Sequence, residues 1–152
     1  MSPATGPQSL FRRVAVAEAV TWALLLSGMF LKYVTETTEA GVRVFGMLHG
    51  VVFLAYVVTT LVVWVDRRWS VGRGLLALGA AIPPLATLPL EWWAVRRGWL
   101  GDAWRLPAGV GSSAADRVVA WLIRNPLRGI AVGLVAVAAL TGVALLVGPP
   151  TS

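Results

Sequence analysis

VFGMLHGVVFLAYVVTTLVVWV, residues 44 to 65, carries no acidic or basic side chain apart from one histidine, His49. As a helix rising about 1.5 Å per residue it reaches about 30 Å, the thickness of a bilayer's hydrocarbon core. Working outward, Val14 to Leu31 precedes it, and Gly74 to Val95 and Leu127 to Val147 follow it as further apolar stretches. Lipid offers a bare backbone no hydrogen bonds, so only helices or closed barrels cross it. Four such stretches in a 152-residue chain that is 57% hydrophobic and 13% charged predict an all-α integral membrane protein with four membrane-embedded helices. The chain has room for one small bundle and no soluble module with the aromatic platforms that bind nucleic acid, so no nucleic-acid partner is expected.

Four segments follow from this pattern. Residues 1–9 are rich in Pro, Gly and Ser and read as a disordered tail. Residues 10–97 form a three-helix membrane core, 98–126 a loop with an interfacial helix, and 127–148 the fourth transmembrane helix. Arg12 and Arg13 before an apolar run have the outline of a secretory signal. The run continues into Lys32 and Tyr33 with no small-residue cleavage site, so it reads as a retained first helix. Pro83, Pro84 and Pro89 interrupt the third stretch and predict a proline-kinked third helix. Its 22-residue length favours crossing. Were it re-entrant instead, all the arginine blocks would share one side, whereas four crossings set one arginine-rich loop against another and nearly cancel the positive-inside rule. Ser113 three residues ahead of Asp116 is a capping signal, and the mixed charge and apolarity of Asp116 to Arg124 predict a short helix lying on the membrane surface, ending near Asn125 and Pro126.

Small residues recur at helix-face spacing: Ala15, Ala19, Ala23 and Ser27 in the first helix, Gly46 and Gly50 in the second, Gly129 and Gly133 in the last. Such faces let transmembrane backbones approach closely, and contact within the chain is the simplest use of them. The net charge of +6 is almost all arginine, since Lys32 is the only lysine. These blocks flank the apolar stretches, where they anchor helices among anionic headgroups.

Chemistry-bearing residues are few. The absence of cysteine excludes disulfides, thiolate metal sites and cysteine nucleophiles. A single histidine supplies neither a bis-histidine haem within one chain nor a zinc site, and the serines stand in no recognisable triad. No catalytic, cofactor or metal site is predicted. The intramembrane ionisable groups are Glu18, His49 and Glu91, which are expensive in lipid and default to functional hypotheses. Gly46, His49, Phe53, Tyr56 and Thr60 fall on one helical seam, expected to face the bundle interior. If successive stretches all cross, Lys32, His49, Tyr56 and Glu91 form a candidate polar cluster toward one face, with Arg43 beside it and a His49–Glu91 contact at its centre. Glu18, Arg67 and Arg73 form a second polar site at the other face, near Arg68.

FRRVAVAEAVTWALLL at 11 to 26, MFLKY at 29 to 33, His49-Gly50 and PLATLPLE at 84 to 91 together resemble a family of small bacterial integral membrane proteins catalogued as domain of unknown function 3817. The resemblance covers about residues 10 to 95. It implies an arginine entry with an intramembrane Glu, a Met-Pro-Leu-Lys-Tyr exit, a His-Gly pair, and a Pro-Phe-Gly-Thr stretch ending in an acid. Glu18, Lys32, Tyr33, His49, Gly50, Thr87 and Glu91 occupy those positions. Ala19, Phe30 and Ala86 depart from the pattern, where Gly, Pro and Gly are usual. The resemblance implies no named activity.

The function expected is that of a non-enzymatic accessory or scaffold subunit in a bacterial cytoplasmic membrane. Its partners would be the lipid bilayer and either another membrane protein or a second copy of itself. The alternative is a small oligomeric transporter or proton-linked carrier using Lys32, His49, Tyr56 and Glu91.

Overall fold

The computed structural model describes residues 6–106, 109 and 111–148. Six helices run in order: α1 Pro7–Tyr33, α2 Ala40–Arg67, α3 Val71–Gly79, α4 Thr87–Arg96, α5 Ala114–Arg124 and α6 Pro126–Val147. Three of them, α1, α2 and α6, are long and apolar enough to cross a membrane. Residues 7–9, read as part of a tail, belong to α1, which begins at Pro7, a residue preorganised for a helix's first turn; residues 1–5 lie outside the described residues.

Helices α1 and α2 form an antiparallel pair joined by the short connection through Thr35 to Glu39. At their joined ends the backbones nearly touch, since a Cβ on Gly28 would lie 2.7 Å from the carbonyl carbon of Gly41. Toward the other end the pair opens, and α3 and α4 fill the space between them.

The third stretch corrects the expectation of a kinked span. It is two separate helices, with a turn from Ala80 to Ala86 between them. The cause is local. Pro83 and Pro84 have no N–H to give to the preceding turn and their rings clash with its carbonyls, while each biases the residue before it away from helix. The ladder stops accordingly: Ala81 N–H turns to Leu78 and Ile82 N–H to Gly79. Leu85 then takes a left-handed conformation, φ 65°, to restart the chain in the opposite direction. Pro89 sits in the first turn of α4, where a missing N–H removes no intrahelical bond.

Contacts at both ends define a helical hairpin. Entering, α3 runs back along α2, with Gly74 against the Trp64 ring and Ala77 beside Tyr56. Leaving, α4 runs back along α1 from Thr87 near Ala15 to Glu91 near Arg12. Trp69 before α3 and Trp99 after α4 then meet, with ring centroids 6.1 Å apart and Trp69 Nε1–H donating to the Trp99 carbonyl at 2.9 Å. Both ends of the hairpin therefore lie at the end of the bundle where α1 starts and α2 stops. Of the thirteen basic residues, only Lys32 and Arg43 belong to the opposite end.

The core is concentrated at that arginine-rich end, where Phe11, Ala15, Tyr56, Val63, Trp69, Ala77, Ala81, Leu90, Ala94 and Leu100 are buried together. A smaller cluster of Leu106, Val119 and Ile123 seats α5 against α2. Buried Asp66, at the end of α2, ties the intervening loop down by accepting from the backbone N–H groups of Arg105 and Leu106. Helix α6 touches α2 but is largely exposed, with Val137 its only buried residue among those described.

Helix α5 starts with the expected capping box, since Ser113 Oγ accepts from Asp116 N–H at 3.0 Å and Asp116 accepts from Ser113 N–H at 3.2 Å. These donors, with the Ser112 N–H and nearby Arg105, hold the Asp116 carboxyl below the ordinary aspartate value of 3.8. A depressed acid contributes stability that is complete above its unfolded value and disappears as pH falls through the folded one. Amide exchange in α5 should therefore lose protection on acidification below about pH 4. In Asp116→Asn that acid-dependent step should vanish.

Candidate functional site

The polar residues of the bundle gather where α1, α2 and the hairpin turn meet. Two of them satisfy backbone that the hairpin exposes, and a third ties the hairpin to α1. Ala77 O has lost its helical donor, because Ala81 N–H bonds elsewhere, and Tyr56 Oη donates to it at 2.8 Å. Trp22 Nε1–H donates to Ala81 O at 3.3 Å. Thr87 Oγ1, at the first turn of α4, lies 3.1 Å from Ala15 O and 2.8 Å from Glu18 Oε2. An interrupted helix in an apolar setting needs such replacements for its missing bonds, so these side chains read first as the hairpin's supports.

Glu18 is fully buried, and its Oε1 has no partner among the described residues. Thr21 Oγ1 donates to the Glu18 carbonyl at 2.9 Å and lies 3.0 Å from His49 Nδ1. The Thr21 hydroxyl has one hydrogen, already directed at Glu18, which leaves the imidazole Nδ1–H as the donor in the second contact. The His49 ring packs on Trp22, centroids 4.5 Å apart. Thr60, also buried, bonds back to the Tyr56 carbonyl.

The seam read from the sequence on α2 does face inward, with His49, Tyr56 and Thr60 buried. The two polar clusters do not assemble as expected. Lys32 pairs with Glu39 at 3.5 Å in the connection between α1 and α2. His49 meets Thr21, Tyr56 meets Ala77, and Glu91 pairs with Arg12 at 3.0 Å near the arginine-rich end. The predicted His49–Glu91 contact is thus replaced by two others. It presumed that the third stretch crosses; the turn at Pro83 and Pro84 carries Glu91 back to the end it came from. Glu18 is likewise separate from Arg67, whose guanidinium packs against Gly101, and from Arg73, which lies over the Trp99 ring at 4.9 Å.

Two features escaped the sequence reading. Thr87 appeared there only as a matching position, yet it joins Glu18 to α4. The close helix contact is Gly28 against Gly41, whereas Ala23 and Ser27 of the small-residue face are exposed and Gly50 and Gly133 would meet nothing within 4 Å. The small-residue spacing gave no signal for Gly28, which is turned about 100° from Ser27 around the helix.

The elements that build this site, α1 through α4, are the stretch that a family model recognises: residues 8–96 match the domain of unknown function DUF3817. The chain belongs to the DUF3817 family. Glu18, Thr21, His49, Tyr56, Thr87 and Glu91 all fall inside the DUF3817 match, while α5 and α6 fall outside it. The chain is also 50% identical over 100 residues to a Streptomyces coelicolor protein named Putative membrane protein SCO5905. That match takes in 63% of this chain but 12% of the relative, so this chain corresponds to a small part of a much longer protein. No solved structure matches. With three apolar helices of spanning length and a membrane-protein relative, the molecule is a small polytopic membrane protein.

Proposed function

We propose that this DUF3817 protein is a non-enzymatic accessory or scaffold subunit of a larger complex in the bacterial cytoplasmic membrane. The observation that carries this reading is the relative's length: a unit like this one makes up about an eighth of it, as an appended membrane module would. The exposed surface of α6 and the open space beside Gly50 and Gly133 supply helix faces against which a partner's helices, or a second copy, can pack.

The arginine-rich end faces the cytoplasm, as the positive-inside rule requires when nearly all basic residues share one end. In this arrangement α1, α2 and α6 cross, the α3–α4 hairpin is re-entrant from the cytoplasmic side, and α5 lies in the cytoplasmic interface with Trp121 and Val118 turned outward. The carrier alternative has less behind it, because Lys32, His49, Tyr56 and Glu91 each hold a different partner.

Native mass spectrometry of protein purified in mild detergent from its own membrane tests the accessory reading. A stoichiometric larger partner, lost on Gly50→Leu or Gly133→Leu while the chain itself stays folded, is the expected result. A chain that runs alone before and after substitution would contradict it.

A further inference from the structure

The contacts around the Glu18 carboxyl count its protons. Glu18 Oε2 and Thr87 Oγ1 are 2.8 Å apart, and Thr87 Oγ1 and Ala15 O are 3.1 Å apart. The threonine hydroxyl has one hydrogen for these two contacts. With Glu18 ionised, that single hydrogen serves one contact and leaves the other without a donor, or is shared between the two in a weaker three-centre bond. With Glu18 neutral, its own hydroxyl donates to Thr87, and the Thr87 hydroxyl donates to Ala15, so both are hydrogen bonds running in one direction.

The rest of the site agrees. Oε1 accepts no hydrogen bond among the described residues; the Trp22 indole N–H lies beside the carboxyl but donates to Ala81 O at 3.3 Å, so a carboxylate there would at most share that donor. A bare oxygen is tolerable as the carbonyl of a neutral acid and far more costly as half of a buried carboxylate. Among the described residues, none of the surrounding elements offers a cation in an ion pair with it. On α2 the facing groups are Tyr56, donating to Ala77, and His49, bonded to Thr21. On α4 the nearest charge is Glu91, held by Arg12 of α1. The one charged residue of α3, Arg73, lies at the hairpin's open end over Trp99.

We propose that Glu18 is a buried proton-binding site, a neutral carboxylic acid whose proton latches α4 to α1 through Thr87. The ligand is H⁺, and its binding turns the carboxylate into the acid with no other bond made or broken. Loss of that proton converts a donor into a second acceptor opposite Thr87, which breaks the relay where the hairpin turn meets α1. The site lies within the DUF3817 match and stands whether or not a larger partner exists.

Infrared spectroscopy of the purified full chain in detergent at pH 7 tests this without any ligand. The wild type should show the carbonyl band of a protonated acid, well separated from carboxylate bands, and Glu18→Gln should lose it. Thr87→Val, which removes the acceptor of the acid's hydrogen, should keep the band but move it to higher frequency. A wild-type spectrum with carboxylate bands alone would overturn the proposal, and so would an acid band unmoved in Thr87→Val. The first of these results is also what a buried water donating to an ionised Glu18 would give.

Discussion

Tyr56→Ala is expected to destabilise the detergent-solubilised protein by about 3–5 kcal/mol, the range for emptying a buried aromatic site. Tyr56 is fully buried, its ring 5.6 Å from that of Phe11, so truncation leaves a cavity between α1, α2 and α3. The same change removes the hydroxyl that replaces the lost helical bond to Ala77 O. Tyr56→Phe separates these effects, since it keeps the ring and orphans the carbonyl; about 1–3 kcal/mol should be lost. Thermal unfolding followed by circular dichroism reads both. If Tyr56→Ala melts with the wild type, the hairpin is not seated on α2 as described.

Gly28→Val should have the next largest effect. Its Cβ would fall 2.7 Å from Gly41 C and 2.8 Å from Val42 N, and both neighbours are backbone atoms that cannot rotate away. Relief requires α1 and α2 to separate at their joined ends, and overpacking of this kind costs about 1–3 kcal/mol or more. Gly50→Ala is the matched control, because its Cβ would meet nothing within 4 Å and alanine is the better helix former. The glycine substitution that hurts should thus be the one outside any G-x-x-x-G pair.

Much of this molecule was legible in its sequence because apolar length and periodicity are strong signals in membranes. The places of α1, α2 and α6, the capping of α5 by Ser113 and Asp116, and the inward seam of His49, Tyr56 and Thr60 all follow from apolar length and spacing, although α1 starts at Pro7, ahead of its apolar stretch. The third stretch was harder, since its length argues for crossing and its prolines for breaking. Two consecutive prolines settle it, because they remove two donors in succession while biasing Ile82 and Pro83 away from helix. That local outcome decides distant pairings: once the chain turns back, Glu91 meets Arg12 rather than His49. Partners of buried polar groups depend on topology, so they were out of reach until the direction of α4 was known. The link between Glu18 and Thr87 spans 69 positions and carries no spacing signal.

The central claim is that both ends of the α3–α4 hairpin emerge at the end of the bundle where α1 begins. The chain has no cysteine, so single-cysteine variants report without background. In intact cells and inverted membrane vesicles, a membrane-impermeant maleimide should label S70C and R97C from one side and T38C from the other. Labelling of S70C and R97C from opposite sides would contradict the account, since the third stretch would then cross the membrane.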